Sequence, residues 1–138
     1  MNKYQQGKII MGRLKKGEDL LIELTKLVKE NNIETGKVEV IGAVTEACFG
    51  YYNQDKKEYE YNTIKEGLEI VNCTGNISLL DGKSMIHAHI VLADNEGHTY
   101  GGHLAEGTKI FASEAIIYEL KGKKLNRTFD KETELTLW

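Results

Sequence analysis

The stretch from Ser84 to Leu104 constrains the fold of this chain more than any other part of the sequence. From Met85 to Leu92 the residues alternate in character, as they do in a β-strand, whose successive side chains point to opposite faces of the sheet. One face is apolar and consists of Ile86, Ala88, Ile90 and Leu92. The opposite face carries His87 and His89, so two imidazoles share one side of the predicted strand.

A hairpin turn follows this strand. Residues 95–97 form a three-residue loop, and its last residue, Gly97, stands where a type I turn with a bulge needs a left-handed backbone conformation. The next strand begins at His98, and counting along an antiparallel ladder from the loop places His89 opposite His103. The sequence therefore predicts that three imidazoles, two from the first strand and one from the second, lie on a common face.

Three histidines on neighbouring strands are a typical set of metal ligands. His87, His89 and His103 can direct their ring nitrogens at one cation at roughly 2.0–2.1 Å, the geometry of an open zinc site whose fourth position is left to water or a ligand. A single histidine is more often a surface or half-buried residue, and His98, beside the turn, is interpreted in that way. The convergence of the other three favours a metal, and neutral imidazoles suit zinc as well as copper, nickel, cobalt or iron.

Length and composition favour one compact domain over residues 1–138 with a substantial core, because 41% of the 138 residues are hydrophobic. The net charge of -3 argues against non-specific binding of nucleic acid by the chain alone. No apolar run is long enough for a membrane span or a signal peptide, so we expect a cytoplasmic protein without a membrane partner. Cys48 and Cys73 lie in apolar runs without a C-x-x-C spacing and are interpreted as reduced core residues.

The rest of the chain predicts one helix and several strands. Leucines and a valine recur at helical spacing over residues 18–30, with acidic residues in the first turn and lysines near the end, which predicts an amphipathic helix. Besides the histidine hairpin, strand-like patterns occupy residues 7–14, 37–52, 58–62, 68–80, 110–120 and 125–129. Gly75 is interpreted as a bulge within its strand. We therefore expect an α+β fold with a mainly antiparallel sheet of about six or seven strands.

Burial adds a prediction about assembly. The strands at 38–44, 85–92 and 110–120 are apolar on both faces, as in a sheet that is covered on both sides. Only one predicted helix is available to cover this sheet. The second face must therefore close on itself as a barrel or be buried by another subunit, and we predict an obligate homo-oligomer.

Glu114 is the candidate catalytic residue if the chain is an enzyme. It shares a predicted strand face with the apolar residues of the 110–118 run, where a carboxylate is costly unless it is paired. Two residues could pair with the Glu114 carboxylate. Arg13 would form a structural ion pair and is favoured, whereas a metal-bound histidine would be oriented by Glu114. The same choice between a structural ion pair and a metal-bound histidine applies to Glu46, for which the sequence pattern is weaker.

A basic group lies late in the sequence and consists of Lys121, Lys123, Lys124 and Arg127. We interpret it as a solvated hairpin tip. It is also the best candidate in the chain for contacting an anion.

Six short motifs occur in order along almost the whole chain. They are R-L-x-x-G-E-D-L at Arg13–Leu20, I-G-A-V-T-E-A at Ile41–Ala47, G-Y-Y at Gly50–Tyr52, G-N-I-S at Gly75–Ser78, H-A-H at His87–His89 and G-G-H-L at Gly101–Leu104. Each motif is weak, but together they are specific. In this combination the chain resembles the PPC domain, the plants-and-prokaryotes-conserved domain that is also found in plant AT-hook nuclear proteins.

This resemblance implies a compact α+β fold that is usually a homotrimer. In some members the histidines that match His87, His89 and His103 hold a zinc ion, and Glu114 matches a family glutamate whose role is open. Prokaryotic members are often named as DNA-binding proteins. Plant members, however, bind DNA through a separate basic AT-hook of the R-G-R-P type, and this chain contains no such segment and no proline.

Three functions follow as hypotheses. The first is a trimeric, metal-holding domain in a regulatory or DNA-associated setting, such as transcription regulation. The second is an enzyme, a hydrolase or lyase, that uses a metal-bound water on a small substrate with Glu114, or with less support Glu46, as general base. The third is a purely structural metal that stabilises the trimer. The absence of a phosphate-binding glycine loop and of a second acid–base partner at a fixed offset argues against the enzyme.

Overall fold

The computed structural model describes all 138 residues and has one helix and nine strands. Their bounds are β1 Gln5–Arg13, α1 Leu20–Glu30, β2 Gly36–Asn53, β3 Glu58–Ile64, β4 Leu68–Leu80, β5 Lys83–Ala93, β6 Thr99–Leu104, β7 Lys109–Lys121, β8 Thr128–Phe129 and β9 Thr136–Leu137. The α+β class with a single helix and a main sheet of seven antiparallel strands agrees with the sequence prediction. The last two strands form a separate short ladder.

The main sheet is organised by β2, which is 18 residues long and has different neighbours along its length. Its first half pairs with β4 on one side and β7 on the other, and β1 pairs with the far side of β7. Its second half pairs with β3 and, at Phe49 and Gly50, with β6. Because β6 also pairs with β5 and β5 with β4, the strands β2, β4, β5 and β6 form a closed ring. Closure into a barrel was one of the two alternatives that the sequence predicted for the second face of the sheet, and burial by another subunit was the other.

The helix begins where Asp19 caps it. The Asp19 carboxylate accepts hydrogen bonds from the backbone N–H groups of Leu21 at 3.0 Å and Ile22 at 3.1 Å, which have no partner within the helix. It also accepts one from the Gly107 N–H at 2.6 Å, which ties the helix start to the loop before β7. The predicted start at residue 18 was therefore two residues early. The helix is too short and too polar to cross a membrane.

The core lies between α1 and the inward face of the sheet. The helix buries Leu20, Leu24 and Val28, and the predicted apolar face of β5 is buried at Ile86, Ala88, Ile90 and Leu92. Cys48 and Cys73 form no disulfide, as predicted. Burial raises the pKa of the Cys73 thiol to about 12, which keeps it protonated and unreactive at neutral pH.

The prediction that Glu114 lies on a buried apolar face is wrong. The ladder between β2 and β7 shifts so that Ala43 faces Ala112 while Val44 faces Ile110, which leaves Phe111 as an extra residue. An extra residue reverses the alternation of all side chains beyond it. Glu114 therefore lies on the exposed face.

Gly75 is not the bulge that the sequence indicated. The ladder between β4 and β5 shifts between Ile70 and Asn72, and Gly75 stays in regular register between Val38 and Ala88. A Cβ atom at Gly75 would meet the carbonyl oxygen of His87 and come within 2.6 Å of the Ala88 Cα. Glycine is needed here because β4 and β5 approach closely beside the histidine strand.

Substituting Gly75→Ala should lower the free energy of unfolding by about 1–3 kcal/mol, because the added methyl group forces β4 away from β5. Gly12→Ala is the matched control, since a Cβ at Gly12 has nothing within 4 Å and the residue lies in a strand of the same sheet. Urea denaturation of both variants measures the difference. Equal stability of the two variants would contradict the close approach.

Candidate metal centre

The structure brings His87, His89 and His103 together. His87 and His89 come from β5 and His103 from β6, and His89 is the register partner of His103, as the count from the turn predicted. A potential ligand atom from each of the three residues lies within 4.8 Å of those of the other two. The ring centroids are 4.9 Å apart for His87 and His103, 5.3 Å for His87 and His89, and 5.7 Å for His89 and His103.

The turn after β5 fixes this register. The N–H of Asp94 donates to the carbonyl of His98 at 3.0 Å, and Gly97 has the left-handed φ of 85° that the loop requires. The Asp94 carboxylate accepts hydrogen bonds from the backbone N–H groups of Glu96 and His98 and from the Tyr100 hydroxyl, each at 2.9 Å. His98 contacts this carboxylate through Nδ1 at 3.1 Å and lies outside the histidine cluster. Asp94 thus holds the hairpin that aligns His103 with β5.

The surroundings of His87 and His103 favour their neutral forms. Burial, followed by the charges of His103 and Arg127, lowers the pKa of His87 to about 4. Burial, followed by the charge of His89, also lowers the pKa of His103. At neutral pH His87 therefore keeps the lone pair that a metal ion needs.

One atom in the cluster has no partner. The Nδ1 atom of His103 is buried and makes no hydrogen bond within the protein. Buried polar atoms are nearly always satisfied, so an orphaned imidazole nitrogen among two other imidazoles is what a cation would complete. A donor set of three imidazole nitrogens fits a divalent transition metal.

A cavity of about 300 Å³ opens beside the cluster and is lined by His87, His103, Tyr59, Arg127 and the segment that includes β9. The ring of Tyr59, from β3, lies 4.9 Å from that of His103. Sequence analysis did not identify Tyr59. The sequence signal that could have identified Tyr59 is the group of tyrosines in β2 and β3, which pair with each other around Gly50. Gly50 is also the partner of His103 in β6.

The interpretation of Arg127 as part of a solvated hairpin tip is wrong. Lys121, Lys123 and Lys124 are exposed, but Arg127 is only 7% exposed. Its backbone N–H donates to the Leu79 carbonyl at 2.7 Å, which draws the residue against β4. This contact joins segments far apart in sequence, and no local pattern could reveal it.

Neither predicted acidic candidate reaches the histidines. Glu114 is the register partner of Arg13 across β1 and β7, but the two exposed side chains form no ion pair. Both line a different, shallow depression of about 420 Å³. Glu46 lies 3.9 Å from the Lys65 ammonium. The carboxylates that line the histidine cavity are Glu58 and Glu134, and Glu134 contacts Lys57 at 3.0 Å.

Gly101 and Gly102 serve strand packing. A Cβ atom at Gly101 would meet the carbonyl oxygen of Ile90, and one at Gly102 would meet that of Gly50. Both glycines therefore let β6 lie close to β5 and β2 at once, which brings His103 to the cluster.

Comparison with known proteins identifies relatives along most of the chain. Residues 1–121 match the family model of the Plants and Prokaryotes Conserved (PCC) domain. A metal-containing protein from Archaeoglobus fulgidus is 38% identical with a TM-score of 0.94, covering 99% of this chain and 96% of that chain. A plant- and prokaryote-conserved (PPC) protein from Pyrococcus horikoshii is 36% identical with a TM-score of 0.95, covering 100% and 95%. A Bacteroides thetaiotaomicron protein, named as a candidate DNA-binding protein, is 27% identical with a TM-score of 0.87, covering 99% and 96%.

The curated relatives are longer proteins. The bifunctional protein GlmU of Synechococcus sp. (strain JA-3-3Ab) is 31% identical over 106 residues, which are 76% of this chain. The same protein from strain JA-2-3B'a(2-13) is 32% identical over 111 residues, or 80% of this chain. The matching segment spans 16% of the length of each relative, so the similarity concerns that segment alone.

Proposed function

We infer the function from the premise that this chain belongs to the Plants and Prokaryotes Conserved (PCC) domain family, and we propose that it is a trimeric, metal-holding domain with a regulatory, DNA-associated role. The observation that carries this proposal is the cluster of three histidines whose ligand atoms lie within 4.8 Å of one another. The orphaned, buried Nδ1 of His103 supports it.

His87, His89 and His103 would hold a divalent transition metal of the zinc type. The relative from Archaeoglobus fulgidus, a metal-containing protein, supports this assignment. When bound, the ion would supply a Lewis acid with coordination positions that the protein does not fill. Burial would keep His87 and His103 neutral, and the turn at Asp94 would keep His103 aligned with β5.

Elemental analysis of the untagged protein should find about one metal ion per chain, as expected of one three-histidine site. The His89→Ala variant should lose it, since removing one of three ligands leaves too few donors. His89 is exposed, so this change should not disturb the core. His98→Ala is the matched control, because His98 lies outside the cluster and should not affect metal content. Equal metal in His89→Ala and the native protein would contradict the assignment.

The outer face of the sheet supports self-association of the chain. Met11 and Ile41 are 75% and 58% exposed and line the shallow depression together with Ile116. Exposed apolar patches of this kind mark surfaces that are buried in an assembly. The only helix packs on the opposite, inner face, so other copies of the chain would cover the outer face.

Sedimentation equilibrium should give three times the chain mass of 15.6 kDa. Ile41→Lys should dissociate the assembly, because it places a charge on the face that the copies would bury. Ile22→Lys introduces the same charge at an equally exposed isoleucine on the helix and should leave the mass unchanged. A native protein that sediments as a monomer would exclude the trimer.

DNA association would be indirect. The Bacteroides relative supports a link to DNA, but the net charge of -3 does not provide the basic surface that phosphate contacts require. We therefore propose that a partner protein brings this domain to DNA.

A filter-binding assay with duplex DNA at physiological salt should retain no DNA with the purified protein alone, because the chain carries net negative charge. The same assay at low salt serves as the sensitivity control. Retention at physiological salt, falling steeply as salt is raised, would demonstrate direct phosphate contacts and contradict the indirect link.

A metal-dependent enzyme is the second candidate function, and the cavity beside the histidines is the observation that favours it. Neither Glu114 nor Glu46 lines this cavity, so any acid–base group would have to come from its other lining residues. The buried Arg127 in the cavity wall indicates which class of ligand fits the cavity.

A further inference from the structure

Arg127 carries a buried charge without a negative partner. Its Nε donates to the Ser78 hydroxyl at 2.7 Å, one terminal nitrogen donates to the Asn76 side-chain carbonyl at 2.9 Å, and the other to the Thr136 backbone carbonyl at 2.9 Å. All three acceptors are neutral. A guanidinium has five N–H groups, so two remain without an acceptor. A buried cation of this kind is costly unless an anion accompanies it.

The fold holds Arg127 in place. Its backbone is bonded to Leu79 of β4, Ser78 is fully buried, and the β8–β9 ladder provides the third acceptor at Thr136. The guanidinium is therefore held at all three of its nitrogens, in contrast to a surface arginine that moves freely. A preorganised, planar donor is the group that binds carboxylates and phosphates through two parallel hydrogen bonds.

Arg127 is one of the residues that line the histidine cavity. Arg127, His87, His103 and Tyr59 line the same space of about 300 Å³, which is at the small end of the range for ligand sites. The carboxylates at this cavity do not neutralise Arg127: Glu134 contacts Lys57, and Glu58 is exposed and forms no ion pair with it. A metal on the histidines would add further positive charge.

We propose that this cavity binds a small oxyanion of the carboxylate or phosphate type, held by the free N–H groups of Arg127 and placed beside the histidine site. The inference deepens the proposed metal-holding function by naming the class of ligand at the same site. It rests on Arg127 and the cavity, so the anion site exists in the metal-free protein and strengthens when a metal is bound.

The chain offers an internal control, since Arg13 and Arg127 are its only arginines. The two side-chain Nε–H signals can be observed by nuclear magnetic resonance in the native protein and assigned with Arg13→Lys. Sodium acetate and inorganic phosphate, titrated separately into metal-free and zinc-loaded protein, should shift the Arg127 signal in a saturable manner and leave that of Arg13, which is exposed, unchanged. The anion with the tighter binding identifies the carboxylate or the phosphate class.

Calorimetry with two variants tests the role of the guanidinium. Arg127→Lys keeps the charge but loses the planar pair of donors, and the dissociation constant for the anion should rise about tenfold or more while the metal content stays unchanged. Lys123→Gln removes an exposed charge from the same segment and should bind the anion as the native protein does. If Arg127→Lys does not fold, the titration of the native protein decides alone.

The outcomes separate the two proposals. Saturable shifts of Arg127 in a protein that binds no metal would retain the anion site and remove the metal function. Metal binding without any saturable shift of Arg127 would overturn the anion site and leave the metal function standing. Equal or parallel shifts of both arginines would indicate non-specific ionic effects and would also overturn the anion site.

Discussion

The pairing of β5 with β6 is the constraint on which the site depends. A slip of one residue in this ladder would turn His103 to the opposite face and separate it from His87 and His89. The Asp94 carboxylate prevents such a slip, because it accepts hydrogen bonds from the N–H of Glu96 within the loop, from the N–H of His98 after it and from the hydroxyl of Tyr100 in the next strand. The two glycines of β6 then allow the strand to lie against β5 and β2 together. The histidine cluster thus depends on the register between β5 and β6. Asp94 in the turn and the two glycines of β6, Gly101 and Gly102, determine that register.

Local patterns in the sequence were sufficient to predict the histidine hairpin and the helix. Alternation located β5, the loop at 95–97 fixed the register, and the helix followed from the spacing of its leucines. The errors have non-local causes. The extra residue Phe111 in β7 arises from pairing with β2, which is far away in the chain, and it reversed the expected face of Glu114. Arg127 is buried because it bonds to Leu79, about fifty positions earlier, and this contact has no local signature.

The two faces of the sheet have different roles. The inner face packs on α1 and supplies the core, and the residues of β5 that point inward are uniformly apolar. The outer face carries the histidines on β5 and β6 and exposed apolar side chains on β1 and β2, such as Met11 and Ile41. A face that combines half-buried imidazoles with exposed apolar surface is poorly suited to contact with water alone. One seven-stranded sheet carries both features, so it fixes their positions relative to each other.

The charge distribution around the cluster argues for a ligand and against a purely structural explanation. An apolar residue at position 127 would avoid the cost of burying a guanidinium, and replacing buried charges by apolar groups is often neutral or stabilising. Ser78 and Asn76 would then lose their donor, but both could bond to water or be replaced as well. The protein instead places a fixed cation with two unused donors at a small cavity beside the histidine cluster. The two unused donors gain acceptors when negative charge enters the cavity, which offsets the cost of burying the guanidinium.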